Sequence, residues 1–324
     1  MRKYVLLMFA ALALLGCDNE PTPSAPTDLE TIGFGTVDTR ADKSDLEANG
    51  FGVWAYITNS TVENHLLMEN QRVKYEDGNW VYSPVKYWLD NTVFTFIGVY
   101  PREYFSTDTE NPGVNVTVET PSEVDFLIAK NITDTKVEGY STTVDLPFQH
   151  ILTSVCLNIW RDGAKHQNDQ MRIKRVTLGN ILKSGAYSSG ADSWTYNNDK
   201  LALEMVNENR SDDDNIGAAT MENGSLTTGG TPANPFGQMM LLPQALDDSN
   251  LVPLKIVYEL KRNNAADWEE AELETVLPSI TWNAGQRYTY NVVLSSVTDI
   301  TVYYIQTKVD PWGTPQVGGT VIIK

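Results

Sequence analysis

The sequence predicts an all-β protein made of two tandem β-sandwich domains. Apolar residues recur with a period of two along most of the chain from Phe51 onwards. Turn residues such as Asp77-Gly78 separate the apolar runs, and no long stretch carries the 3.6-residue period of an amphipathic helix. At 324 residues the chain is long enough for two cores of ordinary size. Its 41% hydrophobic and 20% charged residues fit a globular rather than a disordered protein.

Taken in order, a short apolar run at 31–37 is the first strand candidate, followed by a polar connector holding Arg40 and Lys43. Phe51, Val53, Ala55 and Ile57 then alternate with Gly52, Trp54, Tyr56 and Thr58. Val73 and Tyr75 lead into Asp77-Gly78 and out through Trp80 and Tyr82, a hairpin signal. The run Val93–Tyr100 is apolar on nearly both faces and closed by Pro101, as an interior strand would be. A further strand is expected at 124–129. These elements assign residues 31–143 to an N-terminal domain and 144–324 to a C-terminal one. In the second, 146–160 is long enough for a strand broken by a bend. Val252, Leu254, Ile256, Tyr258 and Leu260 share one face, and Glu270, Glu272 and Glu274 line the solvent side of 268–277. Tyr288, Tyr290, Val292 and Leu294 continue the pattern, followed by 300–309 and 320–323. Residues 180–183 are expected to form one helical turn. Residues 206–235, long for a loop in a compact β-domain, read either as holding a short strand or as a surface excursion suited to variable recognition.

The N-terminus reads as an address. Arg2 and Lys3 precede an apolar segment, 4–15, that is too short to span a bilayer, and Leu14-Leu15-Gly16-Cys17 resembles the lipobox of bacterial lipoproteins. That resemblance implies removal of residues 1–16, acylation of Cys17 and anchorage in the bacterial outer membrane by covalent lipid. Residues 17–30, rich in proline and small polar side chains, form a flexible tether.

A formal charge of −18 argues against a nucleic-acid partner, whose phosphates call for Lys and Arg. Nor does the chain carry a catalytic or metal signature. His65, His150 and His166 are scattered without an HExxH pair, and Cys156 reads as a buried, inert thiol. The run Ser211-Asp212-Asp213-Asp214-Asn215 lacks the glycine and closing glutamate of an EF-hand loop. No catalytic residue, metal ligand or cofactor is assigned, apart from the lipid on Cys17, and no enzymatic activity is expected. The chain has eight tryptophans and fifteen tyrosines. Trp54, Trp80, Trp88 or Trp194 as sugar platforms would make it a surface glycan-binding lipoprotein, although aromatics within strand patterns usually fill cores.

The stretch 31–57 organises the functional reading. A trypsin-like protease cutting after Arg40 severs the first strand, with Ile32, Phe34 and Val37, from all that follows, and Lys43 is the nearby alternative site. The expectation is a chain built to lose that strand and to accept another in its place.

Several blocks, in this order, resemble the fimbrillin family of type V pilus subunits. They are the lipobox, the Thr39-Arg40-Ala41 step ahead of 51–56, Tyr82-Ser83-Pro84 ahead of 94–101, Leu146-Pro147-Phe148 and its continuation to Val155, Leu241-Leu242-Pro243-Gln244, and Trp282-Asn283-Ala284-Gly285-Gln286-Arg287-Tyr288. The resemblance implies two transthyretin-like sandwiches and export as a lipoprotein. It also implies maturation by an arginine- or lysine-specific protease and polymerisation with other pilus subunits by donor-strand exchange in an adhesive surface fimbrium. Host or bacterial surface molecules would be its adhesion ligands. The donor strand would come from the C-terminal segment, with Val317, Val321, Ile322 and Ile323 as its apolar residues.

Overall fold

The computed structural model describes residues 30–35 and 43–308, except 110, 212, 223–224 and 297–298. The first part of the chain contributes β1 (Gly33–Phe34), α1 (Lys43–Asn49), β2 (Phe51–Thr58), β3 (His65–Glu76), β4 (Asn79–Val81), β5 (Val93–Tyr100), β6 (Ser106–Thr107), β7 (Val114–Glu119), β8 (Leu127–Asp134), β9 (Thr143–Val144) and β10 (Gln149–His150). Most of them join one sheet in the order β10-β8-β5-β2-β3-β4-β1-β9. The pairing of β2 with β3 and β5, and of β5 with β8, is antiparallel throughout. The β3–β4 hairpin closes through Asp77 and Gly78, both with positive φ, as a two-residue turn matched to strand twist requires.

Strand β2 shows why this sheet needs cover on both sides. Phe51, Val53, Ala55 and Ile57 enter one core together with Phe94, Phe96 and Phe148, and Leu46 of α1 packs into the same core. Trp54 and Tyr56 enter a second core on the opposite face with Ile97, Val99, Val116 and Phe126. Period-two alternation with both faces apolar marks a strand buried between two layers.

The rest of the chain supplies β11 (Thr153–Asp162), β12 (Gln170–Leu182), β13 (Ser184–Ser188), β14 (Ser193–Tyr196), β15 (Lys200–Val206), β16 (Ala218–Glu222), β17 (Ser225–Gly229), β18 (Gln238–Leu241), β19 (Gln244–Leu246), β20 (Pro253–Lys261), β21 (Glu269–Val276), β22 (Ile280–Trp282), β23 (Gln286–Ser296) and β24 (Asp299–Lys308). One sheet runs β17-β16-β11-β23-β24 and the facing one β15-β12-β20-β21. Between them lies a third core with Trp282, Tyr258, Tyr288 and Tyr290 fully buried. The Trp282 indole donates to the Tyr290 hydroxyl at 2.8 Å, so that polar atom is satisfied inside the core.

The cores are not separate in sequence. The hairpin β13–β14 leaves the later part of the chain and adds to β7, in the order β14-β13-β7-β6. Leu182, Tyr187 and Leu242 thereby pack in the same cluster as Trp54 and Tyr56. The backbone N–H of Val114 donates to Ser189 Oγ at 2.8 Å, and that of Thr120 to the Lys183 carbonyl at 2.9 Å.

The all-β expectation holds, with local corrections. Residues 180–183 do not make a helical turn. Residues 180–182 end β12, where Asn180 adopts φ 55° at a bulge between Leu178 and Ile181, and Lys183 links it to β13. The strand expected at 124–129 begins at Leu127, because the Val124 amide turns back onto Ser122 Oγ at 3.1 Å. The excursion at 206–235 carries a full hairpin, β16–β17, whose β16 pairs in parallel with β11. The long run at 146–160 breaks as expected, between β10 and β11.

Glu270, Glu272 and Glu274 face solvent and pair with Lys174 and Lys255, with Lys255 Nζ 2.6 Å from Glu272 and 3.2 Å from Glu274. Exposed pairs of this kind contribute little each. Glu259 is better enclosed, 2.6 Å from Arg172 Nε and 3.1 Å from Arg210 Nε. Burial pushes its carboxyl up, but the two guanidinium groups outweigh that and hold it below the usual carboxylate range.

Candidate functional site in the leader-strand groove

Residues 30–35 do not sit on an edge. On one side, Ile32 donates to the Lys86 carbonyl at 2.9 Å, Trp88 donates to the Glu30 carbonyl at 2.9 Å, and Phe34 is in register with Trp80 of β4. On the other, Gly33 donates to Thr142 at 3.2 Å and Gly35 to Val144 at 3.0 Å, in parallel pairing with β9. The Tyr82 hydroxyl adds a bond to the Ile32 carbonyl at 2.9 Å. The segment thus fills a slot between two strands that reach one another only through it.

Its side chains go inward. Ile32 is 2% and Phe34 7% exposed. The Phe34 ring meets Tyr82 at 5.4 Å, Phe96 at 6.2 Å and Phe51 at 6.3 Å between centroids, all edge to face. Each such side chain contributes roughly 1.5–3 kcal/mol by burial, and each backbone bond about 0.5–1.5 kcal/mol net. Taking the segment away uncovers the carbonyls of Lys86, Thr142 and Val144 together with a trough floored by aromatic rings.

The two glycines have different reasons. A Cβ on Gly35 would stand 2.5 Å from Thr143 Cγ2 and 2.6 Å from Asp145 Oδ1, whereas one on Gly33 would meet nothing closer than 3.8 Å. Gly35→Ala is therefore expected to destabilise the unprocessed chain by about 1–3 kcal/mol through overpacking. Gly33→Ala should stay within about 0.5 kcal/mol. Urea denaturation of the two variants checks the contrast.

Of the other predicted site residues, Lys43 opens α1 and pairs with Glu47 at 3.2 Å. Cys17, Val37, Arg40, Val317, Val321, Ile322 and Ile323 lie outside the described residues. The aromatic candidates divide. Trp54 and Trp88 are core residues, their indoles donating to Thr107 Oγ1 at 2.9 Å and to the Thr142 carbonyl at 3.1 Å. Trp80 packs on Phe51 at 4.9 Å and on Tyr75 at the same distance, beside the groove. Trp194, on the crossing hairpin, is half-buried and stacks on Tyr196 at 6.2 Å with the rings 6° from parallel.

Two of the three histidines are each tied to an aspartate. His150 Nδ1 lies 2.7 Å from Asp125 Oδ2, and His166 Nδ1 lies 2.8 Å from Asp169 Oδ2. Cys156 is held by Asn158 and Asn234 at 3.6 Å each, and burial pushes its thiol up, away from thiolate reactivity. Among the described residues no three His, Cys, Asp or Glu side chains gather into a metal site, and no helix is long and apolar enough to cross a membrane.

The fold has solved counterparts. A fimbrial protein from Bacteroides vulgatus superposes with a TM-score of 0.61 at 18% identity, over 86% of this chain and 99% of its own. A candidate cell adhesion protein from Bacteroides uniformis superposes at 0.51 and 14% identity, over 86% and 99%. At these identities the likeness speaks to the fold alone. No curated protein matches the sequence at a significant level. The model of the fimbrillin-like family matches residues 39–312, most of the chain, and on that match the chain belongs to the fimbrillin-like family.

Proposed function

We propose that the chain is a structural subunit of an adhesive cell-surface fimbrium whose own first strand is a temporary occupant of the slot between β4 and β9. In this reading it is exported as a lipoprotein on Cys17, tethered by residues 17–30 at the outer membrane, and cut after Arg40. The emptied slot then takes a strand from another subunit, with 317–324 as the segment offered in return. Residues 31–143 and 144–324 are taken as two sandwich domains, with 144–152 still packed on the first and the β13–β14 hairpin joining the two.

The observation that carries the reading is the burial and two-sided pairing of residues 30–35, a segment that precedes the family-matched region beginning at residue 39. A slot with open carbonyls and apolar rings is the kind of site that strand addition satisfies. Arg40 is favoured over Lys43, because Lys43 is the first residue of α1 and is ion-paired, while proteases take extended substrate. A cut after Arg40 also leaves α1 in place, with Leu46 fully buried as a lid on the same core.

N-terminal sequencing of the protein from its native surface, with the same sample run unheated on a denaturing gel, tests the proposal. Ala41 as the mature N-terminus and a ladder of heat-labile oligomers are expected. An acylated Cys17 with neither shorter form nor ladder would overturn it.

A further inference from the structure

A second cavity lies well away from the leader slot, where the crossing hairpin meets the first sheet. It measures about 350 Å³. One wall comes from β5 and β8, through Ile97 and Lys130, and from β10, through Gln149 and His150. The facing wall is the hairpin itself, through Tyr187, Asp192 and Trp194. From this cavity we infer that the chain binds a neutral pyranose sugar of one or two rings, seated between the hairpin and the edge of the first sheet.

The chemistry of the walls selects that ligand class. Sugar rings present an apolar C–H face and a rim of hydroxyls, so they need aromatic surface together with mixed donors and acceptors. The half-buried Trp194 supplies the aromatic surface, backed by the buried Tyr187 ring, tilted to it at 5.4 Å. The Trp194 indole N–H is buried and has no hydrogen-bond partner among the described residues. A buried donor left in that state is costly, and since solvent does not reach it, a sugar hydroxyl oxygen would satisfy it through a small turn of the indole. Asp192 is exposed and accepts the Tyr187 hydroxyl at 2.6 Å, which fixes its carboxylate at the cavity mouth. Lys130 and Gln149, both exposed, add donors and an acceptor on the opposite side.

Size and charge exclude the obvious competitors. The volume sits at the small end for ligand pockets, which suits one or two rings and is too little for a peptide strand. One lysine opposite one aspartate, in a chain of net charge −18, gives no preference for an anionic sugar. The hairpin carrying Tyr187, Asp192 and Trp194 reaches this place only because it pairs with β7, so the site exists only in the whole chain. The inference stands apart from strand exchange, since a subunit that never polymerised would have the same cavity.

The test uses the full soluble chain as a monomer. Saturation-transfer NMR and calorimetry are run with glucose, galactose, mannose and N-acetylglucosamine and with cellobiose, lactose and chitobiose. At least one of these is expected to bind, with affinity falling at least tenfold in Trp194→Phe, which keeps a ring and loses the N–H. Asp192→Asn, which keeps an acceptor for Tyr187, should weaken the same sugar by several fold. Trp80→Phe, at the distant groove, should leave it unchanged. Binding by none of the seven, or binding that Trp194→Phe and Asp192→Asn leave intact while both variants melt as the parent does, would overturn the inference. Such a result would leave the fimbrial reading untouched, because N-terminal processing is read separately.

Discussion

A chain carrying Arg40→Ala and Lys43→Ala together is expected to accumulate as a lipidated monomer, with complete loss of the heat-labile ladder. The reason lies in who occupies the slot. While residues 30–35 pair with 86–88 on one side and 142–144 on the other, an incoming strand finds no free carbonyl and no open apolar surface. Intramolecular pairing also wins on entropy, since the tethered leader pays little to find its place. Lys43→Ala alone should have little effect, because this residue is held at the start of α1. Arg40→Ala alone should account for most of the block. The check is N-terminal sequencing of surface protein with unheated electrophoresis, and an undiminished ladder from the double variant would sink the maturation scheme.

Truncating the leader's aromatic residue should cost most in stability. Phe34→Ala removes a buried ring packed against Phe51, Tyr82 and Phe96 and leaves a cavity among them. About 3–5 kcal/mol is expected for the unprocessed chain. Chemical denaturation before and after cleavage makes this diagnostic. The intact variant should unfold at markedly lower denaturant than the parent, and the two should become indistinguishable once the leader is gone. Equal destabilisation in both forms would place Phe34 outside the removable segment.

The strands legible in the sequence were those with one dominant signal. Phe51–Thr58 and Val93–Tyr100 are observed with the expected limits, because their β-branched and aromatic residues leave no competing period. Asp77-Gly78 announced its turn because few residue pairs tolerate positive φ at both positions. What stayed hidden depends on contacts distant in sequence. Nothing in Ser184–Tyr196 says that it pairs with β7, some seventy residues earlier, rather than with its neighbours. Asn180 read as helical because a bulge in a strand has no periodicity of its own. In the groove, Ile32 and Phe34 were legible as buried residues. Gly35, which looks like a weak point in a strand, proves to be the position where Thr143 and Asp145 come too close for any side chain. The proposed sugar cavity was legible only through Trp194, one of four tryptophans considered as sugar platforms. Its walls are assembled by the crossing hairpin, which no local pattern reveals.

That hairpin also imposes an order of events on a chain made from its N-terminus. Strand β7 has its long antiparallel partner only in β13, and the Trp54–Tyr56 face of the first sheet shares its core with Leu182, Tyr187 and Leu242. Until residues 184–196 and 242 emerge, the nascent first sheet has an open edge and an uncovered aromatic face. Both are features that recruit chaperones or neighbouring chains. The leader closes one side of that sandwich early, and the hairpin closes the other late. A ribosome releasing the chain in segments therefore holds the first sheet unfinished until residue 242 has emerged, and the later core, which needs Tyr258, Trp282 and Tyr288, closes only after that.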